Sequence, residues 1–328
     1  MPQVQTVRGP LDTTELGPVL MHEHVFVLDP EIQQNYPQEW GSEEERVADA
    51  VAKLTKLAST GVRTIVDPTV IGLGRYIPRI QRIAAQVDLN IVVATGCYTY
   101  DDVPFFFHHR GPALNAAVGA QVPDPMVDMF VGDITEGIAG TGVRAGVLKC
   151  AIDHQGMTPG VERVMRAVAK AHRRTGVPIT VHTHPTSQSG LAAAKVLADE
   201  GVDPRRVVLG HSGDTTDVDH LSELAEAGFV LGMDRFGINL ETTFEARADT
   251  LVEMCRRGHA DSMVLSQDAS CYIDWIEPAV MAVLPQWHYT HIHEEVLPYL
   301  REHGVTEEQI DTMLVANPRR YFENVGVY

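Results

Sequence analysis

His22 and His24 in VLMHEHVFVL, Lys149 in GVLKCAI, His182 in PITVHTHP, His211 in VVLGHSGD and Asp268 in MVLSQDAS each fall in a short, apolar, β-branched run. Such runs have the pattern of strands buried on both faces, and their polar residues fall where a strand passes into a loop. Taken singly, a histidine there is ordinarily structural, satisfied by a neighbour. Taken together, four imidazoles and a carboxylate form a donor set for divalent cations, which activate water for hydrolysis. In His22-Glu23-His24 the period of two puts both imidazoles on one strand face, with Glu23 opposite. The chemistry expected is metal-dependent hydrolysis.

Lys149 is flanked by Val147, Leu148 and Cys150. As an ammonium it would be costly to desolvate and would repel cations. It is therefore either paired with a buried carboxylate, or deprotonated and combined with carbon dioxide as an anionic carbamate that bridges two metals. The surrounding histidines favour the carbamate. Cys97, Cys150, Cys255 and Cys271 are scattered without a C-x-x-C pair, which favours reduced thiols and leaves nitrogen and oxygen donors to hold metal.

Polar residues at the ends of parallel strands converge when the strands close into a barrel. Apolar runs at 19–28, 62–69, 90–98, 144–152, 177–184, 206–212, 228–235 and 262–269 give eight strands. Helical stripes alternate with them, as in Val47, Val51, Leu54 and Leu57 of 43–59 and in Val161, Val164, Met165, Val168 and Ala169 of 161–175. Glycines 61, 142, 176, 201 and 228 fall just past helix ends. With no break in composition, residues 1–328 read as a single (β/α)8 TIM barrel, an α/β fold. Residues 1–17 are expected as a hairpin or cover and 305–323 as a terminal helix. The long loop 269–289 carries Tyr272, Ile273, Trp275, Ile276, Met281 and Trp287, apolar surface for a substrate. It could instead pack against the barrel rim or on a partner subunit, with Phe105 to Phe107 completing that interface.

The formal charge of −18, from 44 acidic and 26 basic residues, repels a phosphate backbone and argues against nucleic acid. The start, MPQVQTVRGP, lacks the pattern of a secretory signal and no run approaches membrane-spanning length, so a cytoplasmic protein without a membrane partner is expected. His108-His109, Asp153-His154 and the HYTHIH segment at 288–293 read as loop or helix-start residues rather than ligands.

From MHEHVF through GVLKCA, HTH, GHSGD and GMDRFG to ANPRRYF, the whole chain resembles the phosphotriesterase-like lactonases of the amidohydrolase superfamily. The resemblance implies a binuclear metal centre at the C-terminal ends of the strands. His22, His24 and Asp268 would hold the buried ion and His182 and His211 the exposed one, with carboxylated Lys149 and a hydroxide bridging them. Zinc is the expected metal, and cobalt, manganese or iron suit the same donors. Tyr98 and Arg235 match the family's active-site Tyr and Arg. Tyr98 would stabilise charge developing on the substrate oxygen, Asp268 would carry the proton to the leaving group, and Arg235 would organise the long loop. The implied function is hydrolysis of N-acyl-homoserine lactones and other γ- or δ-lactones (quorum quenching), with side activity on organophosphates, and a homodimer is expected. From their apolar surface directly after Asp268, Tyr272, Ile273 and Trp275 are expected to contact the substrate. Two rival readings are a cyclic-amide hydrolase or deaminase of the same superfamily and a noncatalytic metal-binding barrel. Gln267 and Ser212 depart from residues seen in relatives, His and Cys respectively, and are expected to tune the surroundings of the ligands.

Overall fold

The computed structural model describes residues 2–323 and 326–327. Its first strands, β1 (Gln3–Thr6) and β2 (Gly9–Asp12), pair antiparallel as a hairpin. The strands that follow are β3 (Val19–Leu20), β4 (His24–Val27), β5 (Thr64–Asp67), β6 (Asn90–Gly96), β7 (Val147–Ala151), β8 (Ile179–His182), β9 (Val207–Gly210), β10 (Val230–Met233), β11 (Met263–Leu265) and β12 (Ser270–Ile273). A parallel eight-stranded sheet runs β3-β5-β6-β7-β8-β9-β10-β11. The Met21 amide donates to Leu265 O at 3.3 Å, joining the two edges. Helices such as Glu43–Ser59, capped by the Ser42 hydroxyl, and Pro159–Thr175, capped by Thr158, cover the outside. The architecture is the (β/α)8 barrel.

Side-chain alternation sorts each strand. Ile65, Leu148, Ile179, Val181 and Leu209 face the helices, while Val19, Val66, Val92, Val147, Val208, Val230 and Val264 pack in the barrel interior. Tyr321 and Phe322, from the final helix Asn317–Glu323, join that inner cluster. Lys149 lies two residues after Val147, and His182 two after Thr180, so both project inward from their strands.

Two of the expected strands differ in detail. The run 19–28 is broken at 21–23, and the run 262–269 ends at Leu265. After residues 266–269 the chain resumes as β12, which pairs in parallel with β4 through Ser270↔His24 and Tyr272↔Phe26. Part of the expected loop 269–289 is thus a strand, and Pro278–Met281 within it is a short helix. Residues 307–323 are helical in three consecutive pieces. Phe107 is buried, whereas Phe105 and Phe106 are exposed. Among the described residues no helix is long and apolar enough to cross a membrane.

Candidate metal centre

His22 and Asp268 lie at the two strand breaks. Asp268 and His211 both adopt left-handed backbone, with φ of 54° and 65°, which is unfavourable for residues bearing a Cβ and is held by the surrounding structure. Glu23 explains part of that hold. Its carboxylate is fully buried and accepts from the Ser266 hydroxyl at 2.8 Å, the Gln267 amide at 2.8 Å and the Ala269 amide at 2.9 Å. Burial raises its pKa to about 8 despite these donors. The Asp268 amide donates to His22 O at 3.1 Å, and Trp287 Nε1 donates to the carbonyls of Gln267 and Asp268.

The six expected ligands converge on one floor. His22 Nε2 and His24 Nε2 lie 3.6 and 3.4 Å from Asp268 Oδ1. His182 Nδ1 and His211 Nε2 face each other at 2.9 Å, and the His22 and His211 ring centroids are 4.8 Å apart. Lys149 lines the same cavity at 1% exposure, and its Nζ has no hydrogen-bond partner. Burial lowers the Lys149 pKa to about 8, against the pull of Asp268 and Asp234. Such an amine is readily neutral, the form that reacts with carbon dioxide.

A layer of acceptors behind the rings sets which nitrogen faces inward. Asp234 Oδ2 lies 3.1 Å from His22 Nδ1, while its Oδ1 takes both the His211 amide at 2.7 Å and His211 Nδ1 at 2.9 Å. His24 Nδ1 meets Thr69 Oγ1 at 2.7 Å, and Thr69 in turn donates to Asp67. His182 is reversed, with Nε2 on Asp153 at 2.5 Å and Nδ1 inward. At His22, His182 and His211 these acceptors favour a proton on the outer nitrogen and a lone pair toward the floor, as in metal-ligating histidines. Burial would lower the His24 pKa, but Asp268 and Asp67 raise it to about 9, so that ring must give up its inner proton to bind a cation. His22, His211 and Asp234 are also close enough to hold an ion themselves. Their hydrogen bonds use the outer nitrogens, so Asp234 belongs to the orienting layer.

The charges follow this arrangement. Burial pushes the His182 ring down to about 3. Burial would raise Asp268, but His22, His24 and Arg235 hold its carboxyl well below the usual range. These donors and the orphaned Lys149 amine fit a divalent cation pair.

Above the floor is a cavity of about 570 Å³, whose walls include Leu73, Ile238, Leu240, Ile273, Trp275 and Leu284. Tyr98 lies at its edge, with its hydroxyl 3.3 Å from His182 Nδ1 and in contact with the Tyr100 hydroxyl. Arg235 donates through Nε to Asp268 and through Nη1 to Asp214, so it contacts the expected proton carrier directly. Tyr272 does not join the other expected substrate residues. Strand alternation in β12 turns it away from the cavity, where Arg46 lies 3.9 Å from its ring centroid and Trp40 and Phe26 pack beside it. Gln267 is spent on Tyr289 O and the Ile292 amide, and the Ser212 hydroxyl on Leu209 O. Asp234, Glu23 and Asp153 are the contributors that sequence reasoning missed. Asp234 had a signal, since it ends the run at 228–235 just as His211 ends its own.

The phosphotriesterase family model matches residues 2–322. The chain is similar to the phosphotriesterase homology protein of Mycobacterium tuberculosis, at 59% identity over 100% of both chains. It is also similar to the aryldialkylphosphatase of Saccharolobus solfataricus, at 37% identity over 95% of this chain and 96% of that one. A solved structure, that of the phosphotriesterase from Mycobacterium tuberculosis, matches with a TM-score of 0.96 and 58% identity over 100% of both chains.

Proposed function

Since the chain belongs to the phosphotriesterase family and is thereby a metal-dependent hydrolase, we propose that it hydrolyses lactones bearing an apolar tail, with slower turnover of organophosphate triesters. The observation that carries this reading is the contrast between a polar floor of His22, His24, Lys149, His182, His211 and Asp268 and the apolar wall of Ile273, Trp275 and Leu284 above it. A neutral ring fits the floor, and an aliphatic chain gains about 0.8 kcal/mol per buried methylene on the wall.

His22, His24 and Asp268 would hold one cation, His182 and His211 the other, and Lys149 as its carbamate would join both sites. Bound there, a pair of divalent cations supplies Lewis acidity and makes water nucleophilic near neutral pH. Burial first, then Tyr100, raises the Tyr98 pKa well above its ordinary value. Tyr98 therefore stays protonated and donates to the oxygen on which charge develops. His22 and His24, with Arg235 beside them, keep Asp268 ionised, so its carboxylate can accept the proton released on attack and return it to the leaving alkoxide.

The test is a pH-indicator assay of the zinc-loaded protein against lactones of increasing tail length, a phosphotriester and cyclic amides. The expected order of kcat/KM is long-tailed lactone, short lactone, phosphotriester, with amides last. Preference for a cyclic amide would replace the lactonase reading with the amidase one.

A further inference from the structure

Outside the barrel mouth, the segment HYTHIHEEV brings together a second set of donors. His288, His291 and Glu295 offer ring nitrogens and a carboxylate oxygen that all lie within 4.8 Å of one another. His291 Nδ1 is 3.3 Å from Glu295 Oε1, and the two rings stand 5.8 Å apart at 76°. Metal–ligand bonds of about 2.0–2.1 Å in a tetrahedron place neighbouring donors roughly 3.3 Å apart. One pair already has that spacing. Closing the set needs the part-exposed His288, whose Nδ1 meets Thr290 Oγ1 at 3.1 Å, to turn toward that pair.

His291 is the independent sign of a missing ligand. It is 0% exposed, its Nε2 has no hydrogen-bond partner, and its Nδ1 meets only the Glu295 carboxylate at 3.3 Å. Leaving a nitrogen of a buried imidazole unsatisfied is costly. Burial, outweighing Glu295, also lowers its pKa, which keeps the ring in the neutral form that binds metal. Glu295 is oriented for the task. Its Oε2 accepts from Gln286 Nε2 at 2.6 Å, and Gln286 Oε1 accepts from Asn239 at 2.6 Å, leaving Oε1 toward His291. The backbone from Ile292 to Val296 is a π-helical turn, a distortion common where side chains serve a site.

We infer that His288, His291 and Glu295 bind a third divalent transition cation of zinc-like preference, separate from the barrel-mouth centre, with water completing its coordination. Such a site would brace the end of the substrate loop. Through Gln286 and Asn239 it ties to the loop after β10, and through Trp287 and Tyr289 it adjoins the groups that hold Asp268 and Gln267. Sequence alone read these histidines as the start of a helix.

The experiment uses the full chain, stripped of metal, dialysed against micromolar zinc and freed of excess by gel filtration, with zinc per folded chain measured by elemental analysis. His288→Ala and Glu295→Gln should each carry one equivalent less than wild type, and the equivalents at the barrel mouth should remain. Wild-type protein should also show a rise in thermal midpoint on adding the last equivalent, absent in both variants. Glu295 is part-exposed at the surface, so its isosteric replacement leaves the fold intact and the comparison meaningful. Equal zinc content in wild type and either folded variant overturns the inference.

Discussion

Arg235 Nε donates to Asp268 Oδ2 at 3.1 Å while Asp268 Oδ1 faces His22 and His24. One carboxylate thus meets the ligand cluster with one oxygen and an arginine with the other. Asp268→Asn keeps a similar shape but cannot take up a proton as a carboxylate does. Turnover of lactones with poor leaving groups should fall by about 10²–10⁴, and less for good leaving groups. Wild-type rates on slow lactones, with metal content normal, would reduce Asp268 to a ligand.

Asp234 binds the outer nitrogens of both His22 and His211. Asp234→Asn should weaken metal binding by about 10–100-fold, read by competition with a chromogenic chelator. An unchanged affinity would mean that the two rings are held by packing alone.

Trp275 and Tyr272 make a paired test of the cavity wall. Trp275→Ala should flatten the rise of kcat/KM with tail length and affect unsubstituted lactones less. Tyr272→Phe, which alters a residue packed against Trp40 and Arg46, should leave that profile unchanged. Equal effects of the two changes would displace the wall from Trp275.

Gly96 lies beside Lys149 with φ of 144°, and a Cβ there would sit 1.9 Å from Lys149 O. Gly96→Ala must therefore shift β6 or β7. We expect a loss of at least about 2 kcal/mol in denaturant unfolding, together with reduced metal content.

The convergence of the six floor residues was legible because each falls at the end of an apolar run, and alternation within a strand is a local property. His182 follows from Thr180 and Lys149 from Val147 by counting twos. What was hidden depends on contacts between distant segments. β12 pairs with β4 across more than two hundred residues of sequence. Its short run SCYI reads as loop, and a loop gives no alternation by which to separate Tyr272 from Ile273. Glu23 was seen only as the residue opposite two ligands, since its partners at 266–269 are brought to it by barrel closure. Asp153 follows β7 and reaches His182 of β8, a pairing that neither run announces.

The central claim is that the buried, unpartnered amine of Lys149 would, as a carbamate, help hold the divalent cations at the barrel mouth. The direct measurement is metal per chain and lactone turnover in Lys149→Ala, with and without a short carboxylate such as propionate. The account predicts loss of barrel-mouth metal and activity, and partial return of both when propionate occupies the vacated volume. Full barrel-mouth metal and wild-type turnover in Lys149→Ala without added carboxylate would contradict it.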